Sequence, residues 1–364
     1  MAAIAITIPD RASVASYAPC GYTFSSNAAD ETLDPTERAE AYYLAANDCH
    51  RSAQRDIQRG RYLKDGYALG AMKYYTKAIA LNPGTAKTYL SYTHLGEIYR
   101  KNEDYYQSLE NYHLAIALIP NLPRAYNGRG KTYARLKQED LALADYTKAI
   151  SIDANAASYL GRGNVYLSLN QKSKAIADYT KAIAIRPNFV DAYIARGDTY
   201  RSLQDNRKAI SDYSQAITSL EKAIATYSNN DYTSDLGISW GDKLAKVYLH
   251  RAELYEQAAN YQQAVRDYQE SDFLKPLSDK FYLARAEAYR QTKQYQKALN
   301  DYIKIIRVSE AGERAEAYLG MGYIYRDRQQ RDRALDNFKR AAYLFDWQGN
   351  TAKYQTALEE MSEL

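Results

Sequence analysis

The sequence predicts an all-α protein, a right-handed α-solenoid of stacked helix-turn-helix units closed by helical caps. Three observations predict this fold class. Aromatic, small and proline positions recur together about every 34 residues over most of the chain. Each recurrence holds two stretches with apolar residues at helical spacing, joined by a short polar turn. No stretch shows the pattern of a strand.

The repeating unit is clearest at 156–189, where two amphipathic halves meet at the polar turn 170–171. Its small positions are Gly163, Ala175 and Ala182, and Pro187 ends it. The same pattern recurs at 89–122, 123–155, 190–218, 245–278, 279–312 and 315–348, with a degenerate copy at about 52–85. This pattern resembles the tetratricopeptide repeat (TPR), which implies helix pairs that bury apolar surface by stacking. The C-terminal end resembles bacterial TPR proteins, notably cyanobacterial ones.

Composition shifts and helix signals predict the domain organisation. The segments are a flexible N-terminal tail at 1–33, an N-terminal helix and degenerate TPR unit at 34–88, a first TPR sub-stack at 89–227, an interrupting loop at 228–242, a second sub-stack at 243–348 and a C-terminal capping helix at 349–364. Asp34 can cap the first helix and Pro35 suits its first position. The loop carries Tyr232 and Trp240 among turn-forming residues. We leave open whether Trp240 fills the joint between the sub-stacks or contacts a partner.

The chain has 38 tyrosines, and most of them fall into three columns of the repeat. The first column is Tyr92, Tyr126, Tyr159, Tyr193, Tyr248, Tyr282 and Tyr318; the second is Tyr99, Tyr133, Tyr166, Tyr200, Tyr255, Tyr289 and Tyr325; the third is Tyr112, Tyr146, Tyr179, Tyr213, Tyr268 and Tyr302, ending in Phe338. We interpret all three as core aromatics, because a tyrosine ring buries a large apolar area while its hydroxyl can still find a partner.

Two charged columns change together within the chain. Position seven of the unit is arginine and position 23 is aspartate in five units: Arg129 with Asp145, Arg162 with Asp178, Arg196 with Asp212, Arg251 with Asp267, and Arg285 with Asp301. In the remaining two, the pairs are Leu95 with Asn111 and Met321 with Asn337. This covariation predicts contact, either as a repeating salt bridge that fixes helix pairing or as a row of ligand-binding arginines.

Composition argues against several function classes. The net charge of +4 gives no continuous basic stripe, so we expect no nucleic acid partner. The two cysteines, Cys20 and Cys49, suggest no disulfide framework, and with no export signal or membrane span the sequence predicts a cytoplasmic protein. The four histidines lack metal-ligand spacing, and no catalytic motif is present. We therefore expect neither a metal nor another cofactor, and no enzymatic activity.

The TPR resemblance implies that the first helix of each unit lines a concave groove. On that basis, the predicted peptide-binding groove comprises Arg100, Arg124, Asn127, Lys131, Leu160, Asn164, Ile194 and Arg201. The chain lacks the basic and amide set with which some TPR domains clamp a chaperone's terminal carboxylate. The predicted function is a non-catalytic scaffold or adaptor, in the manner of an assembly factor, that binds an extended peptide or partner helix of unknown identity. The alternatives are a regulatory receptor for a small molecule or short signalling peptide and, less favoured, an RNA-binding repeat. The oligomeric state is left open.

Overall fold

The computed structural model describes residues 32–58, 66–82, 86–228 and 236–364, and these are helical with short connections. The predicted tail, except for its last two residues, lies outside the described residues. The helices are α1 (Pro35–Gln58), α2 (Gly66–Leu81), α3 (Ala86–Lys101), α4 (Tyr105–Leu118), α5 (Pro123–Arg135), α6 (Glu139–Ile152), α7 (Ala156–Ser168), α8 (Lys172–Ile185), α9 (Val190–Ser202), α10 (Asn206–Ser228), α11 (Leu236–Gln257), α12 (Tyr261–Leu274), α13 (Asp279–Gln291), α14 (Tyr295–Val308), α15 (Ala311–Asp327), α16 (Arg331–Trp347) and α17 (Thr351–Ser362). No strand occurs in these ranges. The all-α prediction is therefore confirmed.

The chain divides into two compact units. The first contains the described residues up to Thr199, and the second contains 200–228 and 240–364. In the first unit, α1 packs on α2, α3 on α4, α5 on α6 and α7 on α8. The first helices α3, α5 and α7 also contact one another in sequence, so their exposed faces form one surface. In the second unit, α13 packs on α14 and α15 on α16, and α17 covers α16 as the predicted C-terminal cap.

The first compact unit includes residues 236–239 besides those up to Thr199, which lies within α9. The predicted division into sub-stacks stays a prediction. The predicted loop at 228–242 is too long, because α11 begins at Leu236 and Trp240 lies on that helix, half-buried. Glycine in a helix interior costs only about 1 kcal/mol, so Gly241 does not prevent the helix from extending through it. Residues 229–235, including Tyr232, lie outside the described residues.

Local sequence signals account for the helix ends. Asp34 Oδ1 accepts hydrogen bonds from the backbone N–H groups of Thr36 (2.6 Å) and Glu37 (3.1 Å), which is the predicted cap of α1. Every unit from 89 onward turns between its two helices at one left-handed residue that is not glycine, and these residues are Glu103, Lys137, Asn170, Gln204, Ala259, Lys293 and Gln329. The residue after each one bonds back to the helix; the N–H of Gln138, for example, donates to the Tyr133 carbonyl at 2.9 Å.

The three tyrosine columns have different roles. The third column is fully buried between the two helices of each unit, as predicted, and it includes Tyr112, Tyr179, Tyr268 and Phe338. The first and second columns are mostly half-buried, so the prediction that they are core aromatics is wrong for most of their members. Their rings flank the position-seven arginine, as Tyr159 and Tyr166 flank Arg162 with 5.6 and 5.9 Å from guanidinium carbon to ring centroid.

Close helix crossings explain the small residues of the repeat. A Cβ placed on Gly163 would lie 2.7 Å from Cε1 of the Tyr179 ring and 3.3 Å from the Ala175 carbonyl oxygen. Gly163 therefore faces Ala175, as the repeat pattern predicts, but its nearest neighbour is the buried tyrosine of the same unit. A Cβ on Gly241, by contrast, would meet nothing within 4 Å.

Alanine substitutions at these two glycines are expected to have opposite effects. Gly163→Ala should lower the free energy of unfolding by about 1–3 kcal/mol, because the ring of Tyr179 has to shift. Gly241→Ala should raise it by about 0.5–1 kcal/mol, since alanine favours the helix and nothing obstructs its methyl group. Urea unfolding of both variants tests this. A stabilised Gly163→Ala protein would show that the crossing tolerates a side chain.

Candidate functional site

The covarying arginine and aspartate columns form a repeating ion pair. In four units the guanidinium donates two parallel hydrogen bonds, from Nε to Oδ2 and from Nη2 to Oδ1, over 2.7–2.9 Å, and these pairs are Arg129–Asp145, Arg162–Asp178, Arg251–Asp267 and Arg285–Asp301. The fifth predicted pair lies in the repeat at 190–218. Its members belong to different compact units, Arg196 to the first and Asp212 to the second. The paired aspartates are buried. Contact between the columns, which covariation predicts, is thus present in these four units.

These arginines have few donors left for a ligand. Arg285 is only 8% exposed, and its remaining Nη1 donates to Asp272 at 2.9 Å. Burial by itself would lower the pKa of Arg285, but Asp301 and Asp272 raise it above its ordinary value. Arg162 and Arg251 use their Nη1 groups on Thr147 (3.2 Å) and Ser214 (2.8 Å). The geometry supports the structural interpretation of the column over the ligand-binding one.

Two repeats have an apolar residue at the position of the arginine. Leu95 and Met321 are buried in place of the guanidinium. Asn111 donates its amide hydrogen to the Gln107 carbonyl, and Asn337 donates to the Arg333 carbonyl, each at 2.8 Å. An asparagine that bonds to its own helix needs no partner on the facing helix. This difference explains why the two columns change together.

Cationic side chains gather on the first helices of the first unit. The basic surface, as we name it, comprises Arg100 and Lys101 of α3 and Arg124, Lys131 and Arg135 of α5. Glu97 is the carboxylate among them, and it pairs with Lys101 at 3.2 Å and Arg124 at 3.4 Å. In the described part of the chain, Arg100, Lys131 and Arg135 have no ion-pair partner. The basic surface therefore has an excess of positive charge.

The ionisation of Glu97 and Lys131 reflects that excess. Burial alone would raise the pKa of Glu97, but the charges of Lys101 and Arg124 help lower it to about 2. The surrounding protein reduces the solvation of the Lys131 ammonium and lowers its pKa, and the nearby charge of Arg100 lowers it further. Both shifts follow from a local majority of cations.

The predicted groove residues of the first unit do not all face solvent. Asn127 is only 9% exposed, and its amide donates to the Ser158 hydroxyl of α7 at 2.8 Å. Its predicted role in holding a peptide backbone is therefore wrong, because the side chain is occupied in a contact between repeats. Asn164 is exposed, and its Oδ1 accepts a hydrogen bond from the Tyr179 hydroxyl at 2.9 Å. Leu160 and Ile194 are half-buried, as apolar floor residues would be.

The corresponding residues of the second unit are paired. Arg201, which the sequence places in the same groove as Arg100, belongs to this unit, where its Nη1 donates to Glu253 at 3.0 Å. Lys280 also pairs with Glu253, and Arg290 pairs with Glu287. Burial and the neighbouring acids raise the pKa of Glu256, which accepts a hydrogen bond from Tyr268. The cations here are largely neutralised by neighbours.

Sequence analysis missed a buried cluster at the start of the first unit. His94 of α3 lies 5.1 Å from His50 of α1 and 5.2 Å from Tyr75 of α2, measured between ring centroids. Burial lowers the pKa of His50 to about 4 and that of His94 to about 3, so both are neutral at pH 7. The signal in the sequence was the position of His94, which precedes Leu95 in a column that is glycine or alanine in five of the seven clear repeats and histidine again at His250.

Other site types are not found among the described residues. They contain no group of three or more histidine, cysteine or acidic residues able to hold a metal ion. None of their helices combines the length and apolar character that crossing a membrane requires.

Cys49 is buried on α1. Cys20, the other cysteine, lies outside the described residues, so the state of the cysteines stays a prediction.

The paired helices, their left-handed turns and the repeating ion pair define an α-helical repeat protein. A tetratricopeptide repeat model matches residues 89–122, 123–155, 190–219 and 279–311, and a second TPR repeat model matches 163–204. The chain is a tetratricopeptide repeat protein. The units at 245–278 and 315–348, which no model matches, have the same helix pairs and the same left-handed turn residues.

A solved structure shows the same fold. The C-terminal part of a TPR repeat-containing protein from Cytophaga hutchinsonii is 21% identical, with a TM-score of 0.52, over 74% of this chain and 99% of its own. A tetratricopeptide repeat protein from Parabacteroides merdae is 20% identical, with a TM-score of 0.41, over 75% of this chain and 100% of its own. The bacterial type stays a prediction. No curated protein sequence matches the chain significantly.

Proposed function

We propose that this protein is a non-catalytic scaffold that binds an extended, acidic and partly apolar peptide on the first helices of its first unit. The observation that supports this proposal is the excess of unpaired cations on the basic surface. Arg100, Lys131 and Arg135 have no carboxylate partner in the described residues, whereas the corresponding cations Arg201 and Arg290 of the second unit are paired. Unpaired charge on an exposed surface attracts a ligand of opposite charge.

The direction of the ligand follows from the order of the helices. The basic surface lies on α3 and α5, and the half-buried Leu160 and Ile194 follow on α7 and α9. A peptide running along these helices would place acidic groups near Lys131 and apolar side chains near Leu160. The exposed amide of Asn164, on the same helix as Leu160, can donate to a peptide carbonyl. A cytoplasmic location stays a prediction.

A displayed library of random dodecapeptides tests the proposed ligand. Selection on the wild-type protein is expected to enrich peptides that combine acidic and apolar residues. The affinity of an enriched peptide should fall about tenfold or more with Lys131→Glu plus Asn164→Ala, because one change reverses an attractive charge and the other removes an amide donor. The association rate should also fall as salt is added.

Two control variants locate the effect. Lys148→Glu makes the same charge change at an exposed, unpaired lysine on α6, the second helix of the same repeat as Lys131, and should leave binding unchanged. Trp240→Ala tests the competing site on α11. If Trp240→Ala abolishes binding while Lys131→Glu plus Asn164→Ala has no effect, the basic surface is not the ligand site.

A further inference from the structure

Two cations of the basic surface lie on contacting helices and have no ion-pair partner in the described residues. Arg100 is in the last turn of α3 and Lys131 is in the middle of α5, and these two helices are in contact. Burial lowers the pKa of Lys131, and the charge of Arg100 lowers it further, while that of Glu97 raises it. Like charges held close together repel, and a bound anion would relieve that repulsion.

Arg100 also has an unused donor. Its Nε is shielded from solvent and donates no hydrogen bond within the described residues. A shielded donor without a partner destabilises the protein. A hydrogen bond from such a donor to an ionised acceptor is stronger than one to a neutral acceptor. The guanidinium also hydrogen-bonds with the buried Tyr112. An oxyanion bound at this guanidinium would offer acceptors to the donors that Tyr112 leaves unused.

The charges favour a dianion over a single carboxylate. The charges of Arg100, Lys101 and Arg124 all act on Lys131, and among the described residues the carboxylate that acts on it is Glu97. Glu97 is already shared between Lys101 and Arg124. A phosphoryl group carries about −1.5 to −2 charges at pH 7 and offers three acceptor oxygens. A phosphoryl group would therefore neutralise more of the excess positive charge than the single carboxylate of an acidic side chain.

We propose that Arg100 and Lys131 form a subsite for a doubly charged oxyanion, such as the phosphoryl group of a phosphorylated residue in the bound peptide. This inference rests on the proposed function, since it names the group that the acidic end of the peptide presents. Arg100 supplies guanidinium donors, and Lys131 supplies a point charge. Arg124, which is already paired with Glu97, contributes through its charge at longer range.

Inorganic phosphate is the first probe of the subsite. Titration calorimetry at pH 7.5 and constant ionic strength should detect phosphate binding to the wild-type protein. Arg100→Gln and Lys131→Gln are each expected to weaken it about tenfold or more, and Lys148→Gln should not change it. The affinity should also fall as pH rises towards the lowered pKa of Lys131, because the neutral amine no longer attracts an anion. Equal phosphate affinity in the wild type and both variants, or no binding at all, would overturn the subsite.

A matched pair of peptides connects the subsite to the peptide ligand. A peptide enriched on the wild-type protein is synthesised with either glutamate or phosphoserine at its acidic end, and the phosphoserine form should bind about tenfold more tightly. That advantage should disappear in Arg100→Gln. If both forms bind equally well, the dianion preference is wrong while the proposed function stands. If phosphate binds but no peptide does, the proposed function fails and the subsite stands.

Discussion

Replacing Arg162 with leucine is expected to lower the free energy of unfolding by about 3 kcal/mol, and adding Asp178→Asn is expected to recover a large part of that loss. The carboxylate of Asp178 is buried and receives two hydrogen bonds from Arg162, at 2.8 and 2.9 Å. Without the guanidinium, a buried negative charge is left with neither its partner nor water. The cost therefore comes mainly from stranding the aspartate and not from losing the ion pair itself.

The rescue is expected because the chain already contains the double substitution. Leu95 and Asn111 occupy the same two positions in the first full repeat, where the Asn111 amide bonds to its own helix at the Gln107 carbonyl. Rescue should be incomplete, since leucine cannot replace the bond from Arg162 to Thr147 or its contact with the ring of Tyr159. Urea unfolding of the two single variants and the double variant completes a double-mutant cycle. Effects that add to within about 0.3–0.5 kcal/mol would contradict the coupling.

Replacing Ala175 with leucine is expected to lower the free energy of unfolding by up to about 3 kcal/mol, at the upper end for overpacking. Ala175 is fully buried on α8, and its backbone lies close to Gly163 of α7 across the helix crossing. Three additional carbon atoms would have to push the two helices apart. The buried ring of Tyr179 fills the adjacent space, so the crossing has no free volume into which the leucine can move.

The same helix provides a control for that experiment. Ala184 of α8 is exposed, so Ala184→Leu changes the same side chain by the same amount without entering the crossing. Its effect should stay within about 0.5 kcal/mol. Thermal and urea unfolding of both variants separate packing from helix propensity. If Ala175→Leu unfolds at the same urea concentration as Ala184→Leu, the helices are not closely packed at this position.

Much of the fold could be predicted because the chain repeats itself. Comparing units within one sequence showed which positions stay small, which stay aromatic and which change together. That comparison predicted the helix pairs, the buried third tyrosine column and the contact between Arg162 and Asp178. It also predicted the turn at 170–171, although not that each turn residue would be left-handed without being glycine.

The candidate site could be predicted only in outline. The residue type of Asn127 suggested a free amide, but its hydrogen bond to Ser158 comes from the following repeat. Arg124 appeared in the sequence as one of several cations, yet Glu97 of the preceding repeat pairs with it. These contacts cross between repeats, and they depend on the exact offset of one helix against the next. Periodicity within a unit gives no measure of that offset.

The sequence by itself determined the fold class, the helix pairs and the ion-pair columns, because each of these depends on residues at fixed spacing within one unit. Only the tertiary structure decided which charges remain unpaired. Arg201 finds Glu253 on the first helix of the following repeat, whereas Arg100 and Lys131 have no ion-pair partner in the described residues. The physical reason is that ion pairing depends on distances of a few ångströms between side chains on different helices, which stacking sets and residue spacing along the chain does not.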